Sequence, residues 1–99
     1  MFIIDTGINA NHHDFEDRAS LGAIVGNSAG SIPDDEQGHG TFVAGVVGGT
    51  KYGVAKSATL ISVKALNSKG AGTTSDVLEG LAWVLEQHQV SEGKKSIIK

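Results

Sequence analysis

The sequence predicts an α/β domain with a parallel sheet in a three-layer arrangement, and three observations carry that prediction. Short apolar runs of strand length alternate with segments of helical character. One run, "TLISVKAL", is nearly continuous, interrupted only by Ser62 and Lys64, as a parallel strand covered on both faces would be. Fourteen glycines against one proline are scattered singly and in short motifs. That pattern suits tight strand-to-helix turns and not a low-complexity linker.

The elements follow in order. "FIID" reads as a short buried strand ending at Asp5. "TGINANHHDFEDRASLG" is polar and turn-rich, so a long surface loop is expected there. "AIVG", residues 23–26, is a second short strand. "NSAGSIPDDEQGHG" is another loop and holds the single proline, Pro33. "TFVAGVVGG", Thr41 to Gly49, is a helix candidate despite its β-branched valines. Its glycines cost about 1 kcal/mol each against alanine but let a neighbour come close. "TKYGVAKSA" is a turn. The third strand is the run just quoted, residues 59–66, and "NSKGAGTT" after it is a loop or exposed edge. Ser75 is placed to cap an amphipathic helix, "DVLEGLAWVLEQHQ". Val77, Leu78, Leu81, Ala82 and Leu85 recur at helical spacing and are its expected buried stripe, with Trp83 at the border. "SIIK" looks like the opening of a fourth strand. The first and last strands lie at the chain ends, so residues 1–99 are expected to be one partial domain cut from a larger α/β protein at both ends.

Composition narrows the function classes. The net charge is −3, which is not the basic footprint of a nucleic-acid binder. No apolar stretch approaches the roughly 20 residues that span a bilayer, so no membrane partner is expected. Met1 to Ile4 run straight into Asp5 with no basic start and no cleavage site, so no signal peptide is expected in these residues. There is no cysteine, hence no disulfide framework and no thiolate chemistry.

The chemistry concentrates in "DDEQGHGTFVAGVVGG", residues 34–49. A single histidine, His39, stands between two glycines where a loop becomes a helix. A packed structural histidine does not need such neighbours; one that something must approach closely does. A neutral imidazole there is a candidate general base near pH 7. Such a base needs an acceptor to orient its other nitrogen. Asp5, at the end of a buried strand, points into the crevice of an α/β sheet, and the amides of Thr6 and Gly7 can hydrogen-bond its carboxylate. His12, His13, Asp14 and Glu16 form the other titratable cluster. Two adjacent histidines cannot share a helix face and no second cluster completes a tetrahedral set, so a solvated loop and no metal is expected.

Asp5-Thr6-Gly7-Ile8 and Gly38-His39-Gly40-Thr41-Phe42-Val43-Ala44-Gly45 resemble the aspartate and histidine signatures of the subtilisin-like serine proteases, the subtilases. "YGVAKSATLISVKAL" and "GAGTTSDVLEGLAWV" resemble the continuation in the fungal, proteinase K-like branch. The four blocks occur in the family's order and cover nearly the whole chain. The resemblance implies a subtilisin-like fold and serine endopeptidase activity, with Asp5 the triad aspartate and His39 the triad base. It implies that Gly70, Ala71 and Gly72 form the edge segment that pairs with an extended peptide substrate. It implies no cofactor, a peptide or protein substrate, and a secreted or vacuolar protein.

Three departures qualify this. None of the nine serines follows Gly-Thr and opens a helix, and the family's nucleophile block and oxyanion asparagine have no counterpart here. The remainder of the catalytic domain is therefore an expected partner. Phe42 stands where many relatives carry a second histidine. "GGTKYGVAK" is too short for the tight calcium loop of the bacterial subtilisins. Two other readings remain: an inactive vestigial or peptide-binding fragment, and an aspartic protease, whose motif is also Asp-Thr-Gly.

Overall fold

The computed structural model describes residues 1–26, 32 and 34–90. Three parallel strands form the sheet: β1, Phe2–Asp5; β2, Ala19–Ile24; and β3, Leu60–Lys64. Their spatial order is β1-β3-β2, so the apolar run read as doubly covered is indeed central. Helices α1, His39–Gly48, and α2, Thr74–Val90, complete the three layers. The expected strand at 96–99 and residues 27–31 and 33 of the Pro33 loop lie outside the described residues.

Alternation along the strands sorts the core into two halves. On one face Ile3 and Leu60 pack with Ala44 of α1, Ile8 and Phe15. On the other Phe2 and Val63 pack with Val84 of α2, with Trp83 against them. Trp83 meets the Phe2 ring edge-on, centroids 6.1 Å apart. Helix α1 packs on the face of Ile3 and Leu60 through Gly40, Ala44 and Gly48, a stripe of small residues at i, i+4 and i+8. Its larger side chains, Phe42 and Val46, point away into solvent.

Five expectations need correction. The strand expected at 23–26 starts four residues earlier, at Ala19. Ser20 and Gly22 read as loop because β2 is an edge strand, half exposed and irregular between Leu21 and Ala23. The long loop before it also holds a 3-10 turn, His13–Phe15, which buries Phe15. Helix α1 starts at His39, two residues before the expected Thr41. Helix α2 is capped by Thr73, not Ser75. Thr73 Oγ1 accepts from Asp76 N at 3.1 Å, and Asp76 Oδ2 accepts from Thr73 N at 3.0 Å, a reciprocal capping box. That register turns the expected stripe outward: Val77, Leu78 and Leu85 are exposed. The face on the sheet is Asp76, Gly80 and Val84. A side chain at 80 would meet Val63 Cγ1 at 3.1 Å, so the helix comes down on glycine and the flanking Trp83 and Val84 supply the volume.

Both helices thus carry apolar side chains on their outer faces, and Tyr52 and Val54 are also exposed. Both edge strands of the sheet have one open side among the described residues. The isolated 99-residue chain is expected to bind an apolar dye and to melt broadly. A sharp two-state thermal transition of a monomer would contradict this.

Candidate active site

The site is built where β1 ends and α1 begins. The carbonyl of Asp5 accepts from the amides of Ala65 and Leu66 at 3.0 and 3.1 Å, so the strand end is fixed to the end of β3. Its carboxylate is buried; Oδ1 accepts from Thr6 N at 2.7 Å. His39 is the first residue of α1. Its Nδ1 lies 2.8 Å from Asp5 Oδ1 and 2.9 Å from Oδ2. An ionised carboxylate can only accept, so Nδ1 carries the proton and donates to Asp5. Nε2 is left as the lone-pair nitrogen. The ring itself is 58% exposed, while the Asp5 side chain is 11% exposed: a buried orienter and an accessible base.

The two glycines around His39 have separate jobs. Gly38 is the N-cap at φ 101°, a left-handed conformation that a side chain would strain. A Cβ on Gly40 would collide with the carbonyl oxygen of Gly7 and sit 3.0 Å from Thr6 Oγ1. That close approach is what brings the helix start against the turn after β1.

The first amides of a helix lack partners within it. Here three side chains supply them. His39 N donates to Gln37 Oε1 at 2.8 Å, Gly40 N to Thr6 Oγ1 at 2.9 Å, and Thr41 N to Asp35 Oδ2 at 2.8 Å. Asp35 does more. Its Oδ1 accepts from Thr6 Oγ1 at 2.7 Å, Gly38 N at 2.8 Å and Gln37 N at 3.1 Å. Thr6, next to Asp5, and Gly40, next to His39, are therefore joined through one hydroxyl that Asp35 orients. Burial alone would raise the Asp35 pKa. Hydrogen bonds from the hydroxyls of Thr41 and Thr6 and the amides of Gly38 and Thr41 outweigh it and lower it to about 2.

Asp35 was not among the expected site residues. The signal was in the sequence: an acid three residues before a glycine N-cap, in a stretch already singled out. Thr6 likewise was read only as a turn residue.

Beside His39 opens a cleft of about 210 Å³ lined by Thr6, Gln37, His39, Leu66, Lys69 and Gly70. Gly70 thus reaches the site, whereas Ala71 and Gly72 lie outside this cleft. Ala71 spends its backbone on a local turn: its carbonyl accepts from Asn67 N at 2.9 Å and its amide donates to Asn67 Oδ1 at 3.1 Å. The His12 and Asp14 cluster has a structural part to play. His12 Nδ1 accepts from Asp14 N at 3.2 Å, and Asp14 Oδ1 accepts from Lys51 N at 2.9 Å, pinning the turn after α1.

A buried carboxylate against an exposed imidazole at a helix start is the arrangement expected from the aspartate and histidine signatures. The subtilase family model matches residues 2–91. The chain belongs to the subtilase family. It is 43% identical over 95 residues to subtilisin-like protease 3 of Saccharomyces cerevisiae, covering 96% of this chain and 20% of that protein. It is 48% identical over 96 residues to subtilisin-like protease 8 of Arthroderma otae, covering 95% of this chain and 19% of that protein. Among solved structures it superposes on a cold-adapted subtilisin-like serine proteinase with a TM-score of 0.76 at 41% identity, covering 86% of this chain and 31% of the other. The chain spans about a fifth of the length of the curated relatives it matches. For this subtilase segment, the aspartic-protease reading of Asp-Thr-Gly gives way: the partner of Asp5 is a histidine and not a second aspartate.

The depressed pKa of Asp35 has a consequence for stability. A carboxyl whose folded value lies below its unfolded value stabilises the fold above the unfolded value. That contribution is lost as pH falls from about 4 to about 2 and amounts to about 2 kcal/mol. Amide-exchange protection of Gly38 and Thr41 is expected to collapse over that range. In Asp35→Asn it should already be roughly tenfold or more lower at pH 7 and flat with acid. Equal protection in the two proteins at pH 7 would contradict the assignment.

Proposed function

We propose that this chain supplies the general base and its orienter for a serine endopeptidase acting on peptide or protein substrates. The observation that carries the reading is the His39 Nδ1 to Asp5 pairing at 2.8 and 2.9 Å, with the ring open to the cleft. With Nδ1 committed, Nε2 is the atom that takes a proton from an attacking hydroxyl. As the hydroxyl oxygen bonds to the scissile carbonyl carbon, the proton moves to Nε2, and the imidazolium is stabilised by Asp5. The same proton then passes to the leaving amine, and water repeats the sequence to release the acid.

The nucleophile is proposed to come from outside these residues. Among the described residues, no serine lines the cleft beside His39. The 99 residues are read as the Asp–His part of a larger catalytic domain, in keeping with the fifth of the relatives' length that they match. The edge from Gly70 to Gly72 is the proposed seat of the substrate backbone. Gly72 supports this, since neither its amide nor its carbonyl has a hydrogen-bond partner among the described residues.

The test compares the bare chain with the polypeptide encoded by the whole reading frame that contains it. The bare chain is expected to ignore a fluorophosphonate probe and leave peptide substrates intact. The longer polypeptide should label at one serine and lose at least about 10³-fold in kcat on His39→Ala. Stoichiometric labelling of the bare chain at one of its own serines, such as Ser75, would overturn the proposal. A longer polypeptide that neither labels nor cleaves would instead favour a vestigial, peptide-binding protein.

A further inference from the structure

Lys64 ends the central strand, and its side chain is only 1% exposed. Burying an ammonium costs several kcal/mol unless its protons are paired. Here all three protons have acceptors: Asp34 O at 2.7 Å, Ile32 O at 2.8 Å and Glu36 Oε1 at 3.3 Å. These three acceptors bracket Asp35, the residue that caps α1 and holds the Thr6 hydroxyl. Residues 34–38 have no helix or strand of their own. Among the described residues, and apart from the bonds Asp35 itself makes, this ammonium is their attachment to the sheet.

Lys64 is also the register partner of Asp5 in the β1–β3 pairing. By alternation both project from the sheet face that packs on α1, the face of Ile3 and Leu60. Two buried carboxylates, Asp5 and Asp35, and one buried ammonium thus share that side of the sheet. An aliphatic side chain of the same length would fill the volume. It would supply neither the charge nor the donors.

We propose that Lys64 is a positioning residue for the general base: its buried ammonium holds Ile32, Asp34 and Glu36, and through Asp35 it sets where the start of α1 carries His39 against Asp5. The proposal rests on the reading of Asp5 and His39 as a catalytic pair. It assigns Lys64 no contact with substrate.

The experiment uses the complete active polypeptide, with turnover expressed per site titrated by a serine-reactive probe. A merely structural lysine changes how many sites titrate; a positioning lysine changes the rate at each. Lys64→Met is expected to lower kcat per titrated site by about tenfold or more with KM within about threefold of wild type, because a displaced base damages chemistry more than binding. Lys64→Cys should be equally slow. Alkylation of that cysteine with 2-bromoethylamine rebuilds an ammonium side chain of lysine length and should restore the rate. These 99 residues contain no cysteine of their own, and wild type carried through the same alkylation is the control. Wild-type turnover per site in Lys64→Met, or no recovery in protein that is alkylated in denaturant, shown by mass to be fully modified and refolded, overturns the proposal. If Lys64→Met yields no titratable sites, Lys64→Gln, which keeps two donors without the charge, takes its place. Failure of both to yield sites overturns positioning in favour of a purely structural lysine. A wild-type polypeptide without activity overturns the peptidase reading and this inference together; an active wild type with an indifferent Lys64 overturns this inference alone.

Discussion

The hydrogen bond from Thr6 Oγ1 to Asp35, 2.7 Å long and buried, is the interaction on which the site depends. A hydroxyl has one proton to give and lone pairs to receive with. Giving the proton to Asp35 leaves Thr6 Oγ1 as an acceptor, and the amide of Gly40 takes that place at 2.9 Å. Direction is therefore imposed on the network by the charge of Asp35. Its carboxylate can only accept while ionised, and four donors hold it in that state. The turn after β1 and the start of α1 are bound through polar groups that water cannot easily replace, because both ends are buried.

The fold supplies the geometry that this network finishes. A parallel sheet delivers the ends of β1 and β3 to one edge, and the connection to α1 starts from that same edge. The small stripe of Gly40, Ala44 and Gly48 then lets α1 lie close on the sheet and on the turn after β1. With larger residues there, the helix axis would stand off and the His39 ring could not reach Asp5 Oδ1 at 2.8 Å. The helix propensity sacrificed to glycine is returned as proximity. The same exchange occurs on the opposite face, where Gly80 brings α2 down on Val63.

Asp5 and His39 were legible in the sequence because each stands at a boundary between an apolar run and a turn, where side chains face the crevice. The central strand was legible because both its faces are covered. The burial of α2 was misread for a physical reason: the periodicity of Val77, Leu78, Leu81 and Leu85 is real, but it marks an apolar face that stays exposed among the described residues. The face that packs is set by the Thr73–Asp76 capping box and by Gly80, which carry little or no hydrophobic signal. Asp35 and Lys64 were hidden differently. A buried acid in a loop and a buried lysine in a strand look, in sequence, like solvated charges. Only their partners distinguish them, and those lie about thirty residues away in the chain.

Long-range pairing also explains why the site needs so many fixed groups. His39 is the only part of the pair that meets the cleft, and its ring is more than half exposed. An exposed ring on a single hydrogen-bonded nitrogen could swing about its χ1 and χ2 angles. Three restraints oppose that: a bifurcated bond to a carboxylate that is itself held by Thr6 N, a backbone amide held by Gln37, and the next amide held by Thr6. The restraints act on the backbone at His39 and Gly40 and on the ring from behind, leaving the His39 Nε2 without a protein partner among the described residues. The site is rigid where Asp5 holds the ring and open at Nε2, and the division falls between the two nitrogens of one imidazole.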